Sequence, residues 1–371
     1  MKQDKHNKGW DILLTLVMGI ACLGLSLACW FKPSDEISET ERRQLAQFPT
    51  INKEQILSGT FMSEFEAYTL DQFPLRDSFR SVKAMANLFV LRQKDNNGYY
   101  VSGNSVAKQD YPLNHSSMER ACSVFSRLYE QTMAGTDAKV YFSIIPDKNY
   151  VLAKEAGQLS YDYGELVDYM KKNLSQMSYI DVFPYLSRDD YYDTDPHWRQ
   201  ECITDVADAL LQGMDTPKSE VEYKVETLDA PFRGTYYGQL GLRLEPDKIN
   251  YLTADFFEDC EIFDWQNNKA ITMYDMEKAK DKDPYEMYLS GPLSLITIDN
   301  PHAKTDKELV VFRDSFTSSL APLLTDSYKK ITLLDIRYLQ SAFVGGYVQF
   351  DKQDVLFLYS SAVLNHSETL K

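Results

Sequence analysis

The chain has 371 residues, 44 % of them hydrophobic, and a formal net charge of −16. That length suits one large domain or two modest ones, and the apolar share is enough for a packed core. Beyond residue 32 the balance is 35 basic against 53 acidic residues, near −18. Such a surface argues against nucleic acid as a partner and gives no electrostatic grip on a polyanion.

At the N-terminus, Ile12 to Phe31 runs for 20 residues without a charge. As a helix it spans roughly 30 Å, the hydrocarbon core of a bilayer. Lys2, Lys5 and Lys8 precede it; Asp35, Glu36, Glu39 and Glu41 follow. The positive-inside rule then puts the N-terminus in the cytoplasm and the bulk of the chain outside. Two rivals are a cleaved signal peptide and a lipoprotein signal ending at Cys29 in "LSLAC". The apolar run is long for the first, and Trp30 argues against the second. The expectation is an uncleaved anchor: residues 1–32 a cytoplasmic tail and transmembrane helix, 33–371 an extracytoplasmic domain. Its three cysteines, Cys122, Cys202 and Cys260, are too few for a closed disulfide framework and have no C-x-x-C spacing for structural zinc.

Next come "ERRQLAQFP" (41–49) and "DQFPLRDSF" (71–79), then a helical pattern over 79–93 and short strands around Gly98 and Gly103. From there the periodicity alternates. It predicts helices over 116–134, 164–176 and 199–214, and strands over 138–145 and 178–183, with a loop "PDKN" after Pro146. Between about 217 and 292 the helical period fades into short β-like pieces, read as a β-rich insertion. Strands follow at 294–300, 308–312, 329–338 and 354–364, with a short helix at 316–324. Continuous apolar strands flanked by helices imply a mainly parallel sheet covered on both faces, an α/β class of three layers.

In "ELVVFRDSFTSSLAPLL", Ser315 stands where a strand ends and a helix begins. Open α/β folds place their sites there, and the first helical N–H groups can meet an oxyanion. A serine there is equally an ordinary helix cap. A nucleophilic serine needs a base. Of five histidines, His6 is on the cytoplasmic side, His366 is near the C-terminus, and His115 and His302 sit in polar loops. His197, in "YYDTDPHWRQ", has Asp195 two residues back across Pro196, with Trp198 able to wall the ring. Asp195 could hold Nδ1–H and free Nε2 for the serine, leaving Asp193 to point elsewhere. Two other readings stay open: an Asx-type turn capping helix 199–214 with Trp198 in the core, and a metal site using Asp193, Asp195 and His197, which lacks a second histidine cluster.

"DPHW", followed about 120 residues later by "LVVFRDSF", resembles the DHHW protein family. That family is related to the catalytic domains of bacterial alginate O-acetyltransferases, with Asp-x-His-Trp and a distant serine in an SGNH-hydrolase-like α/β/α fold. "ERRQLAQFP", "DQFPLRDSF", "IIPDKNYV" (144–151) and "LLDIRY" (333–338) resemble other segments of the family in order. Pro196 departs from the histidine of the family name. The chain, ending at 371, is expected to carry no appended carbohydrate-binding module.

The resemblance implies Ser315 as nucleophile, His197 as base and Asp195 as orienting carboxylate. Lys148, Arg313 and Arg337 are candidate oxyanion or substrate contacts beside the Ser315 N–H. It implies an extracytoplasmic O-acetyltransferase or acetylesterase acting on a cell-surface or exported polysaccharide, with no cofactor or metal. The implied acetyl donor is a multi-pass membrane acyltransferase. The alternative is a catalytically silent scaffold that binds glycan through tyrosine and tryptophan.

Overall fold

The computed structural model describes residues 8–38 and 40–371. Lys2, Lys5 and His6 of the expected cytoplasmic flank, and Glu39 after the apolar run, lie outside the described residues. The chain divides into two compact units, Met1–Arg92 with Gly241–Arg243, and Gln93–Leu240 with Leu244–Lys371.

The first unit begins with α1 (Lys8–Phe31), whose apolar stretch Gly9–Phe31 is long and apolar enough to cross a membrane and is unburied among the described residues. A minimal pair, β1 (Ile37–Ser38) and β2 (Arg43–Gln44), leads to α2 (Lys53–Ser58), α3 (Thr60–Asp71) and α4 (Arg76–Met85). "ERRQLAQFP" and "DQFPLRDSF" are tied together here. Arg43 forks onto Asp71 at 2.7 and 2.5 Å, and the Gln72 amide donates to the Ala46 carbonyl at 3.1 Å. The Arg43 hydrogen bond holds the Asp71 carboxyl below its ordinary range against the cost of partial burial.

The second unit opens with the hairpin β3 (Tyr99–Ser102) and β4 (Ser105–Lys108), turning at Gly103 with φ +60°. Then come α5 (His115–Thr132), β5 (Lys139–Ile145), α6 (Lys148–Ala156), α7 (Tyr163–Asn173), β6 (Ser178–Tyr179) and α8 (Thr204–Gly213). β7 (Lys224–Thr227), α9 (Thr235–Leu240), β8 (Asn250–Thr253), β9 (Glu261–Asp264) and β10 (Lys269–Ile271) follow. The chain closes with β11 (Leu295–Asp299), β12 (Glu308–Arg313), α10 (Thr317–Leu324), β13 (Lys330–Leu334), β14 (Asp354–Ser360) and α11 (Ser361–Asn365).

Eight strands form one sheet in the order β10-β9-β11-β13-β12-β14-β5-β6. The pairings from β13 through to β6 are parallel; β11, β9 and β10 join antiparallel. The three layers follow from strand alternation. Leu309 and Val311 of β12 face a core shared with α8 and α10. Val310 and Phe312 face the opposite core, under α5 and α7.

The structure departs from the sequence reading in several places. Residues 148–156 are a helix, because Asp147 caps it by accepting from the Asn149 and Tyr150 N–H groups. The helix expected over 199–214 starts only at Thr204, because the Arg199 N–H is taken by the Asp190 carbonyl and Tyr191 pairs with Trp198 as a bridge. The strand expected over 178–183 is two residues long. The last strand ends at Ser360, whose hydroxyl caps α11. Within 217–292, β7 and β8 pair apart from the central sheet, while β9 and β10 extend it. Ile262 of β9 continues the apolar face of Ile298 beside it, so burial draws the segment into the sheet.

Candidate active site

β12 ends at Arg313, and α10 starts at Thr317. The buried Asp314 carboxylate anchors the turn between them. It accepts from the Phe316 N–H at 3.1 Å and from the Ser360 N–H, at the end of neighbouring β14, at 2.7 Å. Ser315 is thereby held half-exposed at the C-terminal edge of the parallel strands. It caps nothing: Phe316 occupies the cap position, without a side-chain bond. Its hydroxyl lies instead 2.8 Å from His197 Nε2.

His197 sits on a loop closed by the Tyr191–Trp198 bridge and by the Tyr192 N–H bonding the His197 carbonyl at 3.1 Å. Asp195 Oδ1 is 2.6 Å from His197 Nδ1 and also accepts the His197 backbone N–H at 3.1 Å. The Asx-type turn is therefore real, but it orients the ring rather than capping α8. Asp195 Oδ2 accepts from the Thr235 N–H at 2.9 Å and its hydroxyl at 3.3 Å. Burial by itself would raise the Asp195 carboxyl; the charge of His197 and these hydrogen bonds outweigh it and lower it to about 2. A carboxylate so held keeps the Nδ1–H tautomer and leaves Nε2 as acceptor for the serine hydroxyl.

The loop is held from several sides. Lys148, buried at the start of α6, donates to the carbonyls of Tyr192, Asp193 and Asp195 at 2.6, 2.9 and 3.2 Å. Burial pushes its amine down to about 8. Asp247 accepts the Asp193 and Thr194 N–H groups at 2.7 and 2.8 Å. Gly234 passes directly over Asp195: a Cβ there would lie 2.3 Å from the Asp195 Cβ and 2.4 Å from the Thr194 carbonyl. The Asp193 carboxylate takes the Ser105 hydroxyl and stays off the ring.

The wall of the imidazole is Tyr285, stacked at 4.0 Å and 12°. Trp198 does a different job. Fully buried, it donates Nε1–H to the Phe316 carbonyl at 3.1 Å and the Ser319 hydroxyl at 2.9 Å, tying the histidine loop to the serine turn. Tyr285 reaches the same Ser319 hydroxyl at 2.9 Å. Asp247, Gly234, Thr235 and Tyr285 were not singled out from the sequence. All lie in the segment 217–292, read from the sequence only as a β-rich insertion.

The three basic candidates have other hydrogen-bond partners. The hydrogens of Lys148 go to the loop carbonyls. Arg313 is fully buried and bonds the Ser318 hydroxyl at 2.7 Å and the Leu293 carbonyl at 3.2 Å. Arg337 forks onto Asp335 at 2.9 and 2.6 Å. Each is consumed by a partner that folding had to satisfy. Among the described residues the Ser315 N–H has no acceptor, which leaves it for an incoming oxyanion. His302 pairs with Asp259 at 3.0 Å on the surface, and His115 and His366 pair with Glu165 and Asp110. Cys122, Cys202 and Cys260 are free thiols.

No protein-family model matches the chain, and neither does any curated protein sequence. Solved structures do. A DHHW family protein from Eubacterium siraeum is 19 % identical, with 74 % of this chain and 95 % of that one covered at a TM-score of 0.57. PatB1 of Bacillus cereus, in a structure with a sulfonyl adduct, is 21 % identical over 72 % of this chain and 95 % of its own, also at 0.57. Another PatB1 structure matches at 18 % identity, 74 % and 98 % coverage, and a TM-score of 0.54. The chain thus has the fold of the DHHW family protein and PatB1, the three-layer α/β/α framework that its own motifs resemble.

Proposed function

We propose that this chain is a membrane-anchored, extracytoplasmic O-acyltransferase, or an esterase using the same site, acting on a cell-surface or exported polysaccharide. The observation that carries the reading is the relay Ser315–His197–Asp195, at 2.8 and 2.6 Å, with its carboxylate buried. A silent scaffold has no use for an oriented histidine on an uncapped serine. The Ser315 oxygen attacks the acetyl carbonyl as His197 Nε2 takes its proton. The oxyanion that forms is received by the Ser315 N–H. The carbonyl re-forms, the donor's oxygen leaves with the proton from His197, and Ser315 carries the acetyl group. A sugar hydroxyl then gives its proton to His197 and attacks the ester, returning Ser315; water in its place gives hydrolysis.

Anchoring by α1 tethers the chain to the membrane, where a multi-pass acyltransferase is the donor that the resemblance implies. Serine nucleophiles attack sulfonyl fluorides, and PatB1 has been seen with a sulfonyl adduct. The test is treatment of the full chain in nanodiscs with phenylmethanesulfonyl fluoride, followed by peptide mass mapping. The Ser315 peptide gains the sulfonyl group, and hydrolysis of a small acetyl ester stops in step. Labelling elsewhere with ester hydrolysis intact would sink the serine mechanism.

A further inference from the structure

One stretch of the sheet is reached by a groove. On the α5/α7 side the core covers β5, β14 and β12, with Phe142, Phe357 and Phe312 beneath the helices. Farther along, Thr297 of β11 and Thr332 of β13 stand side by side in register, next to Val310 of β12, which belongs to that core. On the other face the same strands show only aliphatic residues, Ile296, Ile298, Ile331, Leu333, Leu309 and Val311. A face meant for a missing helix would be aliphatic too. This one offers hydroxyls.

Above the threonines runs a groove of about 340 Å³. Two aromatic rings border it: Trp265, 53 % exposed, and Tyr347, 59 % exposed. Trp265 is fixed rather than loose. Its Nε1–H donates to Thr297 Oγ1 at 3.1 Å, and Phe263 meets its ring edge-on at 5.0 Å. Thr332 lines the groove at 7 % exposure, and its hydroxyl has no hydrogen-bond partner among the described residues. Lining the groove, that hydroxyl can exchange water for a ligand hydroxyl. Among the described residues the charges lining the groove are Glu308 and Lys330, one of each sign. Lys330 is 3.7 Å from Asp299, and Glu308 accepts from the Gln353 amide at 3.3 Å.

We infer that this groove binds a neutral glycan chain, with sugar rings against Trp265 and Tyr347 and sugar hydroxyls on Thr332. Flat rings that offer an apolar face with a polar edge suit aromatics beside hydroxyls. The balanced charge gives a polyanion nothing to pair with, and the net charge of the chain repels it. Val310 lies five residues before Ser315 and on the opposite face of the sheet from the α8/α10 core, so the groove is a second contact for a polymer. It deepens the polysaccharide reading by holding the substrate away from the relay, but its binding does not depend on the chemistry at Ser315.

The test is calorimetric titration of the full chain in nanodiscs, free of sugar detergents. The probes are glucose and N-acetylglucosamine hexasaccharides, with dextran sulfate as the polyanion. One of the neutral hexamers binds. Trp265→Ala and Tyr347→Ala each weaken it about tenfold or more. Thr332→Val, which keeps the shape and removes the hydroxyl, weakens it several-fold while the thermal midpoint holds. Ser315→Ala binds as the parent does, whatever its esterase activity, so failure of the relay and failure of the groove are told apart. No binding of either hexamer, equal binding by Trp265→Ala, or preference for dextran sulfate overturns the inference. So does a concentration-dependent dimer that Trp265→Ala abolishes, since a second copy would then be the occupant.

Discussion

At the scale of single residues, the site is a contest for partners. Ser315 is one of several buried or half-buried serines near α10, and it differs by what does not hold it: it caps no helix, and among the described residues its hydroxyl bonds only the histidine. Ser315→Ala should therefore lower ester hydrolysis by about three orders of magnitude. Its unfolding free energy should stay within about 0.5 kcal/mol of the parent, as read by denaturant melts. A variant that retains a tenth of the activity would contradict the assignment. Asp195 links the site to stability. Its folded carboxyl is held at about 2, below the ordinary 3.8. A depressed carboxyl stabilises fully above the unfolded value and loses that contribution as pH falls through the folded one. The stability gap between the parent and Asp195→Asn, about 2 kcal/mol from this source, should be complete above pH ~4 and shrink toward pH ~2. A gap that widens in acid would mean that the carboxylate is not stabilised by its partners.

At the scale of elements, the site depends on separate backbone segments brought together by side chains. The loop of His197 is fastened by Lys148 from α6, by Asp247 and by the Gly234 segment, and Trp198 couples it to the start of α10. Gly234→Ala forces a Cβ into the backbone of Thr194 and Asp195, with no flexible side chain there to yield. It should cut turnover by about a hundredfold, since an ångström of misplacement has that effect on an aligned site. Lys148→Met leaves three carbonyls of the loop unpaired in a buried place. It should cost about 3 kcal/mol of stability and take the esterase activity with it. If Lys148→Met melts like the parent, the lysine is not what holds the loop. The "PDKN" loop read from the sequence was a helix start for a local reason, the Asp147 cap, and that reason was visible in the residues. The late start of α8 was not, because Asp190 and the Tyr191–Trp198 bridge compete for the same backbone.

At the scale of the whole molecule, an apolar helix and an acidic remainder act together. With Gly9–Phe31 unburied, the full chain should need detergent or lipid, and a chain lacking residues 1–32 should stay in solution. The full chain remaining monodisperse in plain buffer would count against an anchor. Charge gives a second outcome. Raising ionic strength from about 0.01 to 0.2 M shortens the screening length from roughly 30 Å to under 10 Å. Acetyl release from an acidic acetylated polymer should accelerate with salt, while release from a neutral ester should not change.

The sequence by itself determined what local order and composition can carry. The apolar run, the alternation of strands and helices, and the serine at a strand-to-helix edge all rest on neighbours in the chain. So does the histidine with a carboxylate two positions back. Only the tertiary structure decided the rest. Tyr285, not Trp198, covers the imidazole, and Lys148, Arg313 and Arg337 bond carbonyls, a hydroxyl and a carboxylate. β9 and β10 join the central sheet, and threonines stand in register beneath a tryptophan. The reason is physical. Periodicity and caps report on a residue's own turn or strand. Which distant group satisfies a buried polar atom is settled by a competition among all the groups that folding brings within reach.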